Sequence, residues 1–235
     1  MTTISSAILD PLMSSDPAGP RITYYDDATG ERIELSTATL ANWAAKTANL
    51  LRDELGAGPE SRIAVLLPAH WQTAAVLFGI WWIGSEVVLA GDDADVALCT
   101  VDRLSEADDA VGTGEIAVLS LDPFGKPVPD LAIGLTDYAT AVRVHGDQIS
   151  PERHPGRALD GRSVTEVLAD AEGSAAAQGF TATDRVLSTA SWRTADELTD
   201  NLLAIFAAGA SLVQVANPEP TLLDRRRTTE KTTKG

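Results

Sequence analysis

The chain alternates between two kinds of hydrophobic spacing, and the alternation predicts its elements. Leu40, Trp43, Ala44, Thr47, Leu50, Leu51 and Leu55 fall at steps of three and four, which predicts an amphipathic helix. Ser36 or Thr37 can cap its start, and Gly56 with Gly58-Pro59 supplies its stop. Residues 62–68, Arg-Ile-Ala-Val-Leu-Leu-Pro, form a continuous apolar run, as expected of a strand buried on both faces. A helical stretch from Trp71 to Ile83 follows, Gly84 ends it, and 86–90 is a second apolar run. Strand, helix and strand in this order predict a parallel crossover unit.

Further strands are expected at 96–101 and 115–121, with a short helix at 104–111 between them. Ahead of this region, 1–20 reads as a helical start followed by irregular chain. Residues 21–26 and 32–35 read as an edge hairpin around Asp-Asp-Ala-Thr-Gly. Between 122 and 162 the rhythm breaks, with Gly125-Lys126-Pro127 and His154-Pro155-Gly156 in a connection that is at most partly ordered. Order returns with a helix at 164–172 that can extend to 177, a strand at 184–190, a helix at 194–208 and a strand at 210–215. Asn217-Pro218-Glu219-Pro220 ends the regular structure, and 221–235 reads as a disordered basic tail. The resulting fold class is α/β: two similar lobes of parallel sheet flanked by helices, at about 21–121 and 163–220, joined by 122–162.

The lobes echo one another. Arg62, an apolar strand, Trp71, a helix and Gly84 are matched by Arg185, an apolar strand, Trp192, a helix and Gly209. Any two crossover units share this outline, so coincidence and a pseudo-symmetric pair of lobes both remain open.

Net charge changes which ligands are credible. The chain carries −16, and residues 224–235 hold five cationic side chains against two carboxylates, which leaves the remainder at −19. Such a body repels phosphate backbones, so no nucleic-acid partner is expected. The single cysteine, Cys99, excludes an internal disulfide and suits a reducing compartment. No signal-like start and no apolar run of bilayer length is present, which points to a cytoplasmic protein with no membrane span.

Cys99 lies inside an apolar run and reads as a structural thiol. His70, His145 and His154 are far apart, Asp92, Asp93 and Asp95 lack the glycine and glutamate of a calcium loop, and no metal site is expected. No nucleophile elbow, Walker loop or dinucleotide fingerprint can be written. Trp81-Trp82 reads as core packing. Ligands in open α/β sheets bind at the carboxyl ends of strands. That rule nominates His70 and Trp71 after the first unit's strand, and Ser191, Trp192 and Arg193 after the second's, against the plainer reading of turn and cap residues.

The helix ending Leu50-Leu51-Arg52, the strand 62–68, the helix-Gly84-strand that follows, and the segments 184–188 and 208–213 together resemble the adenylate-forming superfamily. That superfamily comprises acyl-CoA synthetases, peptide-synthetase adenylation domains and luciferases. The resemblance runs from Tyr24 to Pro218, covers only the family's N-terminal part, and is similar to short actinobacterial proteins of this kind. It implies ATP with magnesium, a carboxylic acid substrate and an acyl-adenylate intermediate. The family's phosphate loop, rich in Ser, Thr and Gly and ending Gly-x-Pro-Lys-Gly, is expected before the helix at 164. Residues 155–163, Pro-Gly-Arg-Ala-Leu-Asp-Gly-Arg-Ser, depart from it. The family's adenine- and ribose-binding motifs and its catalytic lysine lie beyond the matched region. The expectation is therefore a truncated, non-catalytic binding or scaffolding module. Two alternatives stay open: part of a nucleotide- or acyl-CoA-using enzyme completed by a partner chain, and an oligomeric structural protein.

Overall fold

The computed structural model describes residues 2–89 and 93–235. In chain order the elements begin with α1 (Ile4–Ser15), β1 (Pro20–Asp26), β2 (Glu31–Ser36), α2 (Thr37–Asp53), β3 (Arg62–Leu66), α3 (Trp71–Trp82) and β4 (Glu86–Val88). They continue with β5 (Val96–Cys99), α4 (Leu104–Val111), β6 (Glu115–Val118), β7 (Thr136–Asp137), α5 (Tyr138–Ala141), β8 (Arg157–Leu159), β9 (Arg162–Ser163) and α6 (Val164–Gln178). The last are β10 (Arg185–Ser188), α7 (Ala195–Leu198), α8 (Ala204–Ala207), β11 (Ser211–Ala216) and α9 (Pro220–Glu230). Residue 90, at the end of the second expected strand, lies outside the described residues.

Two mixed sheets result. One has seven strands in the order β7-β6-β5-β3-β4-β8-β9, parallel except at the β8-β9 hairpin. The other has four, β10-β11-β1-β2, with β1 parallel to β11 and antiparallel to β2. The N-terminal hairpin therefore joins the strands at 185–216, and only its β2 is an edge. The connection at 122–162 contributes β7 and β8 to the first sheet, with Tyr138 fully buried against Thr47, whose hydroxyl lies 2.7 Å away.

The echo in the sequence is an echo in space. In each unit the two strands pair in parallel, Arg62 opposite Glu86 and Arg185 opposite Ser211. Gly84 and Gly209 both stand at positive φ, 78° and 83°, where a side chain would be strained. One large core holds both units together: Phe78 of α3 stacks on Phe206 of α8 with centroids 5.9 Å apart. No helix among the described residues is long and apolar enough to cross a membrane.

The expectation of a disordered tail at 221–235 is corrected. Residues 220–230 are helical, Glu230 is buried, and Lys234 pairs with Val186 at the free edge of β10. Composition suggested a solvated tail because the partners that fix it come from far away in the chain.

Candidate functional site

The carboxyl ends of strands from both sheets open on two clefts that share Pro68, the residue after β3's exit. The first, of about 620 Å³, lies among Leu67, Leu89, Thr100, Asp102, Arg103 and the loop Ser191-Trp192-Arg193. The second, of about 950 Å³, lies among Tyr24, Asp26, Glu31, His70, Asp122 and Phe124. The residues at the strand exits therefore divide between two clefts. Ser191, Trp192 and Arg193 come together in the first, His70 lies in the second, and Trp71 lines neither.

The first cleft's loop is built by one carboxylate. Glu197 Oε2 accepts from the Ser191 hydroxyl at 2.8 Å and from the Arg193 and Thr194 amides at 2.9 and 3.3 Å. Thr194 Oγ1 accepts in return from the Glu197 amide, closing a capping box at the start of α7. The Ser191 hydroxyl and then the Arg193 amide hold the Glu197 carboxyl below its usual range. Trp192 is buried with an indole N–H that has no partner. The Arg193 guanidinium enters no ion pair among the described residues, whereas Arg103 on the opposite wall is clamped by Glu106 at 2.5 and 2.9 Å. Of the two arginines that line this cleft, Arg193 is thus the one in no ion pair among the described residues.

His70 serves a different end. It caps α3, its Nδ1 accepting from the Gln72 amide at 3.1 Å, so in the neutral ring the proton sits on Nε2. Nε2 lies 3.7 Å from Glu31 Oε1, beyond hydrogen-bond reach, and both atoms are buried. Burial lowers the imidazole's pKa, opposed by Glu31 and Asp26. The ring stands edge-on to Tyr24 and tilts against Trp71, which in turn packs edge-on to Trp43. With one nitrogen committed and the other facing a carboxylate, His70 offers no free base to a substrate.

The groups implied for phosphate chemistry do not fit the residues present. Residues 157–163 form the β8-β9 hairpin, turning through Asp160 and Gly161 at φ 42° and 82°. Gly161 donates its amide to Glu86 Oε1 at 2.5 Å, and Asp160 Oδ1 accepts from the Leu89 amide at 3.1 Å. The turn is thus tied to β4 by two carboxylates, where a phosphate loop needs free amides and a cation. At 122–126 the Phe124 and Lys126 amides are likewise spent on Asp122 Oδ1. Among the described residues no group of three or more His, Cys, Asp or Glu could hold a metal. Of the acidic triad, Asp92 lies outside the described residues, and Asp95 accepts from the Arg62 amide. Cys99 is buried, and burial pushes its thiol up to about 11.

The architecture matches solved enzymes closely in shape and weakly in sequence. A Brucella canis acyl-CoA synthetase superposes with a TM-score of 0.82 at 15% identity, over 98% of this chain and 46% of that one. A benzoate CoA ligase from Burkholderia xenovorans LB400 gives 0.77 at 16%, over 99% and 49%. The N-terminal domain of FACL13 from Mycobacterium tuberculosis gives 0.75 at 16%, over 99% and 62%. The fold is that of the N-terminal part of adenylate-forming, acyl-CoA-synthetase-like enzymes, and the chain spans about half the length of the first two. No protein-family model matches it. A "TIGR03089 family protein" of Mycobacterium tuberculosis (strain ATCC 25618 / H37Rv) is 70% identical over 237 residues, covering 99% of this chain and 98% of the relative. The chain belongs to that TIGR03089 family.

Proposed function

We propose that the chain is a ligand-binding module on the acid-activating ligase fold that performs no acyl-adenylate chemistry by itself. Its ligand seat is the cleft at Ser191, Trp192 and Arg193, and the ligand is a small anion-bearing molecule of the adenylate or acyl-CoA kind. The observation that carries this reading is Arg193, a guanidinium in no ion pair among the described residues, at a strand-exit cleft in a chain of net charge −16. A guanidinium pairs bidentately with carboxylate or phosphate, and the unpartnered Trp192 indole beside it offers a further donor. Glu86 and Asp160 at the hairpin disfavour a triphosphate there, which supports binding without turnover.

A thermal-shift panel of ATP, AMP and acyl-CoA esters, with and without magnesium, tests the proposal. AMP or an acyl-CoA ester is expected to raise the melting temperature, since a ligand at a hundredfold its Kd stabilises by about 2.7 kcal/mol. Arg193→Ala is expected to abolish the shift while leaving the unliganded melting point in place, because Arg193 is exposed. Pyrophosphate release from ATP with any member of a carboxylic acid panel would overturn it. A second reading, an enzyme completed by a partner chain, is favoured by solved relatives about twice as long as this chain. It requires pyrophosphate release that appears only when a co-purifying partner is added.

A further inference from the structure

The outer face of the four-stranded sheet is closed by little apolar surface and much charge. Tyr25, Leu187, Val213 and Val215 form a small buried cluster, against which α9 sets Leu223. The rest of the contact is polar and two-pointed. Arg226 pairs with Asp27, whose side chain is only 1% exposed, and its guanidinium lies 3.8 Å from the centre of the Tyr25 ring. Glu230, four residues on and thus on the same face of the helix, enters a socket of opposite sign. It accepts from the Tyr25 hydroxyl, from Arg32 Nε at 3.0 Å and from Arg185 at 2.6 Å. The chain then reverses at Lys231, φ 53°, and runs up the free edge of β10. There Thr233 donates its amide to Arg185 O at 2.8 Å, and Lys234 O accepts from the Leu187 amide at 2.9 Å. A short link, Asn217-Pro218-Glu219, with Asn217 at φ 46°, joins this unit to β11.

We propose that residues 220–235 are a displaceable latch over a peptide-docking surface. The surface recognises a helix presenting an arginine and a glutamate four residues apart, followed by an extended segment that adds to β10. Asp27 selects the cation, the Arg32, Arg185 and Tyr25 socket selects the carboxylate, and the β10 edge supplies strand addition in the manner of other peptide-binding sheets. The chain's own segment holds the site because tethering gives it a high effective concentration. This inference does not depend on a ligand at Arg193.

The test uses the full chain, wild type and Glu230→Gln, with a fluorescent peptide of the sequence of residues 219–235. In Glu230→Gln, tryptic cleavage after Arg225, Arg226 or Arg227 is expected to quicken at least tenfold. Amides of residues 185–187 and 227–235 are expected to lose exchange protection together, while β3 and α3 keep theirs. The labelled peptide is expected to bind the variant and to bind the wild type at least tenfold more weakly. If Glu230→Gln melts the whole fold, the wild type in 1 M salt serves instead, where the same amides are expected to open several-fold more often than in low salt. Protection of 227–235 equal to that of β3 under both conditions, or no peptide binding to an opened variant, would overturn the proposal.

Discussion

The two strand-helix-strand units share a plan and differ in how fully they are closed. Every residue of α3 is buried. Gly79 lets α3 lie directly on α2, since a Cβ there would come within 2.9 Å of Ala44 O and of Thr47 Cβ. In the second unit the helix between the strands runs through α7, a π turn at Thr199–Leu203 and α8, and its leading loop is exposed at Arg193 and Thr194. In the π turn Asn201 bonds back to Glu197 O at 2.9 Å, a wound segment of the kind that often accompanies functional sites. The first unit's helix lies wholly in the core, whereas the second unit's helix starts at the rim of a cleft, beside Ser191, Trp192 and Arg193.

Removing the aromatic link between the units is expected to have the largest effect. Phe78 is fully buried and stacked on Phe206, so Phe78→Ala leaves a cavity between α3 and α8. The expected cost is about 3–5 kcal/mol in urea unfolding. A cost below about 1 kcal/mol, as for a surface position, would break the picture of the first unit as the structural anchor.

Acid is expected to separate the two units by the pH at which each weakens. His70, at the cap of α3, has its pKa lowered by burial from 6.5. The unfolded chain then takes up that proton more readily than the folded one, and stability present above pH 6.5 is lost as pH falls below it. Glu230 is raised by burial but lowered more by bonds from Tyr25, Arg185 and Arg32, so its carboxyl ends below 4.5. Its contribution is present above pH 4.5 and lost as pH falls through the lowered value. The Tyr25 phenol shares that cluster, and burial raises it from 10.0, away from the acid range. Urea unfolding across pH is expected to show two declines, the upper removed by His70→Gln and the lower by Glu230→Gln. A single decline that survives both substitutions would refute the assignment.

Local signals made most of the fold legible, and long-range ones did not. Ser36 does cap α2, and the Leu104–Val111 helix stands where its spacing placed it. Gly84 and Gly209 follow the ends of their helices as expected. Each depends on neighbours within a few residues. The pairing of β1 with β11 and the docking of α9 depend on partners nearly two hundred positions apart, such as Arg32 with Glu230, which no spacing rule reveals. At the clefts, the strand-exit rule named Ser191, Trp192 and Arg193, which line one cleft, but not Thr100, Asp102 and Arg103, which line it too. The same rule applied after β5 would have found them. It also could not tell that His70 faces Glu31, because that carboxylate arrives on the hairpin from the other sheet.

The smallest expected effect is at the loop that distinguishes the second unit. Thr194→Ala removes the hydroxyl that accepts from the Glu197 amide at 3.2 Å, and loss of such a cap costs about 1 kcal/mol. Glu197 keeps its own bonds to Ser191 and to the Arg193 amide, so the loop is weakened at one corner and not dismantled. Ligand-induced stabilisation through Arg193 is therefore expected to fall modestly, in step with the cap's share of loop order. Glu197→Gln, which weakens all three bonds at once, is expected to lower it further. Equal ligand responses from wild type and both variants would mean that the capping box holds only the helix, and that Arg193 is placed by the burial of Trp192.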